Sequence, residues 1–282
     1  MNYANHRSVA WVFATEAEAK PFVEALALTK QCAKPFGFYS DDADLDEAKH
    51  ILVISGMGAL NASMAAAWLA GMSERSCVWI NFGIGGTADK AVGALCLIHS
   101  VSGPLLERTF YPTIIIKSKW SRAGLESQAQ PSDAYNELVF DMEASGFVCA
   151  AQRFVSKEYV HVIKVISDNA KQPLAGFNKD DCYALIKPHV ADVVAFAAAV
   201  GRLGKGDLVD AVDVLAPMLD LPFRASHSQK RIVGELVYKL ILAERWDASS
   251  NADLVAQTDA RKAIADLQVL VNSIAPNFSV PS

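Results

Sequence analysis

Val139-Phe-Asp-Met-Glu-Ala-Ser-Gly-Phe147 places two carboxylates, Asp141 and Glu143, on either side of a thioether just ahead of an apolar helix. Further along, His161-Val-Ile-Lys-Val-Ile-Ser-Asp168 is an apolar run that ends on a serine and an acid. A short run of this kind is the pattern of a buried strand. In an open α/β sheet, ligands bind at the carboxyl ends of strands, so Asp168 is a site candidate from its position alone.

Working outward, Ser8–Phe13 reads as a buried first strand, followed by Thr15 as a helix cap with Glu16 and Glu18 in the first turn. Residues from Gln31 to Lys49 read as a hairpin, with Gly37–Tyr39 as one strand and the acidic stretch Asp41–Glu47 as a solvated turn. His50–Ser55 is the next buried strand, and Gly56-Met-Gly58 turns it into a helix. Leu60, Met64, Trp68 and Met72 recur at spacing four on that helix and are expected in the core. Cys77–Ile80 predicts a third strand with Asn81-Phe-Gly-Ile-Gly-Gly86 as its loop. Those glycines do not have the G-x-G-x-x-G spacing, and no clear helix follows, so a dinucleotide site is rejected.

Ala94–Val101 and the β-branched Thr113–Lys117 predict two more strands, and Ser118 to Asn136 a polar, irregular stretch. A helix is expected from Ala144 to about Arg153, a loop from Asn169 to Lys179, and one long helix from Tyr183 to Leu203. Beyond Gly204 the pattern is helical. Leu208–Leu219 is one segment, with Leu221-Pro222 as the break. A second is capped by Ser226 or Ser228 and runs to Trp246, with Ile232, Leu236, Leu240 and Ala243 inward, and a last one spans Asn251–Ile274. The chain therefore divides into an α/β domain, 1–203, and a C-terminal helical extension, 204–282, packed on the core or at a subunit contact.

Asp-Met-Glu-Ala-Ser-Gly followed by Val-Ile-Ser-Asp-Asn resembles the nucleoside phosphorylase and nucleosidase superfamily, nearest to the hydrolases that cleave methylthioadenosine and adenosylhomocysteine. Ala14-Thr-Glu-Ala-Glu18, Ser55-Gly-Met-Gly58 and Asn81–Gly86 fit the same pattern in order, so the likeness spans roughly Val9 to Leu203. It implies a three-layer α/β/α fold with a mixed, partly barrel-like central sheet. It also implies cleavage of the N-glycosidic bond of a purine nucleoside, adenosine-type and with room for a 5′ substituent.

By the same resemblance, Asp168 protonates the base, Glu143 accepts hydrogen bonds from the sugar hydroxyls, and Glu18 handles the attacking water. Met57, Ile84 and Met142 wall the sugar, and Gly83, Asp141 and Ser167 complete the substrate-binding set. Gln130 and Tyr135, just ahead of the Met-Glu motif, are candidates for reading the base, although their segment lacks the pattern of the methylthioadenosine enzymes and a plain surface loop is the alternative. Phosphorylases of the superfamily hold phosphate with arginines, one ahead of a serine in the glycine loop and one near the N-terminal turn. Here Ile84 stands in place of that serine and neither segment contains arginine, which favours water. A phosphorylase, and a nucleoside-binding regulatory protein without turnover, are the alternatives.

Composition narrows the partners. The 282 residues are 52% apolar and 20% charged with a net charge of −5, a globular balance that disfavours nucleic acid. The basic residues Arg224, Lys230, Arg231 and Lys239 form no continuous run and read as a solvated face. The five widely spaced cysteines show no metal-ligand or disulfide pattern. No metal or cofactor is called for. The apolar runs are too short or too broken for a membrane span, so a cytoplasmic enzyme that acts on a small molecule, as a homo-oligomer and by family habit a dimer, is expected.

Overall fold

The computed structural model describes residues 7–45, 47–72, 77–130, 136–173, 178–203, 223–242, 246, 253–254 and 256–273. The chain divides into two compact units, Met1–Leu203 and Gly204–Ser282.

In the first unit, β1 (Ser8–Phe13), β4 (His50–Ile54), β5 (Cys77–Thr87) and β9 (Val160–Asn169) run parallel, each pairing with the next across the sheet in the order β4-β1-β5-β9. A hairpin of β2 (Thr29–Cys32) and β3 (Gly37–Ser40) extends the β4 edge. On the other side, β8 (Val139–Asp141), β7 (Ser121–Ser127) and β6 (Leu95–Ser102) lead from β5 round to β9. Because β9 also pairs with β5, the strands β5-β8-β7-β6-β9 close into a barrel. A mixed, partly barrel-like sheet is thus present.

Helices cover both faces. α2 (Ala59–Ala70) and α3 (Ala144–Ala151) pack over one apolar cluster that includes Val53, Ala62, Ala66, Phe147 and Val162. On the opposite face α1 (Glu16–Ala25), α4 (Lys179–Ile186) and α5 (Val190–Gly201) pack over Trp11, Phe22, Phe82, Ile163 and Phe196.

Several expectations are corrected. The inward face of α2 is Ala62, Ala65, Ala66 and Leu69, whereas Leu60, Met64 and Met72 are exposed and Trp68 is half-buried against Phe36 and Phe38. Small side chains let α2 lie close to α3: a Cβ on Gly146 would stand 1.7 Å from the Ala59 carbonyl oxygen. The bulkier residues are left outside. Asn81–Gly86 is not a loop but the second half of β5, since barrel closure supplies it with partners in β8 and β9. Thr113–Lys117 is not a strand. Ile114 and Ile116 pack against the core without a ladder partner, and the strand lies at Ser121–Ser127, inside the stretch expected to be irregular. The long helix from Tyr183 is two, because Pro188 sits in a 3₁₀ turn at Lys187–His189. By length and composition the stretch Lys179–Gly201 would suffice to cross a membrane, but Val190, Val193, Phe196 and Val200 are buried in the core.

In the second unit α6 (His227–Leu242) and α7 (Ala260–Asn272) form a small cluster of their own. Ser226 and Gln229 make reciprocal capping bonds at the start of α6. Val233, Leu236, Val237 and Leu240 are its inward residues, Ile232 is 38% exposed, and Ala243 lies outside the described residues. The last helix starts at Ala260 because Asp259 caps it by accepting from Arg261 and Lys262. The segment Leu208–Leu219 and the Leu221-Pro222 break lie outside the described residues.

Candidate functional site

Thr15 and Glu18 cap α1 reciprocally: the Thr15 side chain accepts from the Glu18 amide, and Glu18 Oε2 accepts from the Thr15 amide and hydroxyl. The carboxylate has a second contact. Oε1 accepts from the Ile84 amide on β5 at 3.1 Å, which ties α1 to the glycine strand. A Cβ on Gly83 would stand 2.6 Å from Oε1 and 3.5 Å from Lys164 Nζ, so only glycine leaves room for the two charged groups here.

Asp141 ends β8 and caps α3. It accepts from the Ala144 amide (2.9 Å) and the Ser127 hydroxyl (2.6 Å), and it pairs with Lys164 at 2.8 Å, both side chains buried. Glu143 stands at the N-cap of α3, and its carbonyl accepts from the Phe147 amide, but its side chain makes no capping bond to that helix. Its Oε1 instead accepts from the Gly58 amide at 2.8 Å, at the start of α2. Gly58 has φ of 102°, a left-handed conformation that aims this N–H outward from the turn. The close α2–α3 approach at Gly146 brings the two helix starts together.

Four charged groups therefore meet inside the protein: Glu18 (5% exposed), Asp141 (7%), Glu143 (7%) and Lys164 (1%). Burial alone would lower the Lys164 ammonium, but Asp141, Glu143 and Glu18 together hold its pKa above the usual value. Burial, and then the Asp141 charge, push the Glu143 carboxyl up to about 7, against the opposing pull of Lys164 and the Gly58 N–H, with Glu18 adding to the rise.

Asp168 is buried near the end of β9, where the Ser167 hydroxyl donates to its Oδ1. Cross-strand pairing sets Asp168 opposite Gly86, with an irregularity in the ladder between Gly85 and Gly86. Gly83 and Gly86 share one strand, so the row that holds Glu18 and the row that holds Asp168 are about 10 Å apart. Ile84 and Met142 are half-buried beside these groups in sequence, and Met57, next to Gly58, is 66% exposed. Gln130 is exposed beyond the end of β7 with no hydrogen bond to the cluster among the described residues, and Tyr135 lies outside them.

Lys164 is the site residue that sequence reading missed. Its signal was a lone lysine in the middle of an otherwise apolar strand, a position that only a buried counter-charge makes tolerable. Among the described residues no three of His, Cys, Asp and Glu are grouped as metal ligands would be. A separate groove of about 690 Å³ between α1, α4 and α5 is lined by Pro21, Leu26, Tyr183, Val190 and Val194 among others, and by none of the acids above.

No protein-family model matches the chain, and no curated protein matches it in sequence. Solved structures do match. A 5′-methylthioadenosine/S-adenosylhomocysteine nucleosidase from Colwellia psychrerythraea in complex with adenine superimposes with a TM-score of 0.57 at 15% identity, covering 70% of this chain and 96% of the other. The Neisseria meningitidis enzyme in complex with methylthio-immucillin-A gives 0.54 at 18% identity, covering 70% and 99%. The Arabidopsis thaliana 5′-methylthioadenosine nucleosidase gives 0.53 at 15% identity, with the same coverage. At these identities the likeness speaks to architecture alone: over 70% of its length this chain has the fold of these nucleosidases.

Proposed function

We propose that the chain hydrolyses the N-glycosidic bond of an adenosine-type purine nucleoside. The observation that carries this reading is the meeting of Glu18 and Glu143 around one buried lysine, with Asp168 buried farther along the same strand pair. Glu143 accepts from the ribose hydroxyls, and Glu18 takes a proton from a water that attacks the anomeric carbon. The C–N bond breaks with its electron pair moving to the purine, and Asp168 supplies the proton at the base. Met142 and Ile84 exclude other water from the sugar.

Water suits this site better than phosphate. The Ile84 amide is already occupied by Glu18, and Lys164 is paired with Asp141, so a phosphate dianion would face three carboxylates. A panel of adenosine, inosine, methylthioadenosine and adenosylhomocysteine, assayed with and without inorganic phosphate, tests the reading. Adenine release at equal rates in both is expected. Release that requires phosphate would make the protein a phosphorylase, and tight binding without release a nucleoside-binding protein.

The exposed Leu60 and Met64 on α2, with the exposed Met57 just ahead of it, support a homodimer through that helix. Five free thiols support a reducing, cytoplasmic setting.

Glu143→Gln should cut turnover of ribosides far more than of 2′-deoxyribosides, because only the former lose a full set of hydroxyl contacts. Equal losses on both would contradict the contact. The same substitution should stabilise the fold at high pH. The folded Glu143 holds a proton up to about 7 that an ordinary carboxyl releases near 4.5, so native stability falls as pH rises across that window. Above it, the buried charge costs roughly 3 kcal/mol, and Gln removes it. The melting temperature of the variant should exceed that of the parent at pH 8 and match it at pH 4.

A further inference from the structure

Charge balance in the buried cluster has a consequence for ligand binding. Three carboxylates face one ammonium, so a fully ionised cluster would hold a net charge of −2 out of contact with water. Hydrogen bonding decides which acid is least able to keep its charge. Asp141 accepts from Ser127, Ala144 and Lys164, and Glu18 from the Thr15 amide, the Thr15 hydroxyl and Ile84. Glu143 has one good donor, the Gly58 amide, and a long 3.4 Å contact from the amide of its own neighbour Met142.

Little else nearby can compensate. Asp141 on β8, Lys164 on β9 and Glu18 on α1 are the charged groups that act on Glu143. Neither α3 itself nor α2 beside it carries a charged residue, and β5 has none. The other strands under α3 offer the exposed His99 on β6, and the exposed Arg122 and half-buried Glu126 on β7, while Asp168 lies farther along β9. Glu143 is therefore the acid that keeps a proton in the empty site.

We infer that seating the sugar hydroxyls on Glu143 expels this proton, so that nucleoside binding is coupled to proton release and weakens as the medium becomes acidic. The inference rests on the proposed role of Glu143 as hydroxyl acceptor and adds to it a regulation of the same site. An ionised carboxylate that accepts two hydroxyl donors regains the hydrogen bonds it lacks in the empty protein, and this is what makes release favourable on binding. With the proton bound up to about pH 7, the apparent dissociation constant should be about tenfold larger at pH 6 than at pH 8.

Calorimetric titration of the full chain with formycin A tests this. It is an adenosine analogue whose C-glycosidic bond water does not break, and it carries no titrating group of its own in this range. Titrations at pH 6.5 and 8.5, each in buffers of different ionisation enthalpy, should give heats that depend on the buffer at pH 6.5 and not at 8.5. Adenine alone, which has no hydroxyls, should give no such dependence, and Glu143→Gln should abolish it for formycin A. In Asp141→Asn, one negative charge facing Glu143 is gone, and the pH of half-release should move down. Binding with buffer-independent heats at pH 6.5, or proton release that persists with adenine or in Glu143→Gln, overturns the inference while leaving the functional reading in place. Absence of formycin A binding at both pH values overturns the functional reading, and the inference with it.

Discussion

Asp168→Asn should lower the rate of base release by about a thousandfold while leaving the fold intact, within the range by which general acids accelerate reactions. The two side chains are nearly isosteric, and the amide oxygen still accepts the hydrogen bond that Ser167 donates to Oδ1. What the amide lacks is a proton to give as the C–N bond breaks. Because the missing interaction belongs to the transition state, kcat should fall with KM little changed. The measurement is adenine release from a saturating nucleoside, with thermal melting as the check on folding. Near-normal turnover would take Asp168 out of the mechanism. A variant that binds formycin A as the parent does but releases no base would fit the role.

Lys164→Met should be the most damaging single change to stability. The side chain is 1% exposed, and its ammonium lies 2.8 Å from Asp141 with Glu143 and Glu18 acting on it as well. Methionine fills similar volume but leaves three acids without a counter-charge in the interior. Breaking one partner of a buried pair costs about 3–5 kcal/mol. Part of the loss should return in Lys164→Met combined with Asp141→Asn, because the second change removes the charge that the first left unpaired. Chemical denaturation of the parent, both single variants and the double completes the cycle. Additive losses, or a single-variant loss below about 1 kcal/mol, would show that Lys164 does not balance these acids.

Much of the architecture was legible from local pattern. The first strand, the Thr15–Glu18 cap, the His50 strand and the apolar run into Ser167-Asp168 all appear where short-range signals put them. Those signals depend on residues a few positions apart, so a single sequence carries them. α2 was misread for a different reason. Spacing four identifies a stripe of large apolar residues, Leu60, Met64, Trp68 and Met72, but tight packing against α3 selects the alanine face and turns that stripe outward. Residue size across a contact, rather than hydrophobicity along the helix, decided the outcome.

The acids themselves were visible as an ordered set, whereas the lysine among them was not. Lys164 is one unremarked residue in an apolar run until β8, β9 and α1 bring Asp141, Glu143 and Glu18 to it. Likewise, Asn81–Gly86 carries a glycine pattern that locally reads as a loop. It becomes strand because β8 and β9 offer its backbone groups partners on both sides. By itself, the sequence determined which segments are strands and helices wherever capping and periodicity agree, and the order in which the acids follow one another along the chain. The tertiary structure alone decided which face of α2 is buried, that the sheet closes on itself, and that three carboxylates share one ammonium. Each of these depends on contacts between residues far apart in the chain, and the free energy of burying a charge or filling a gap exists only once those contacts form.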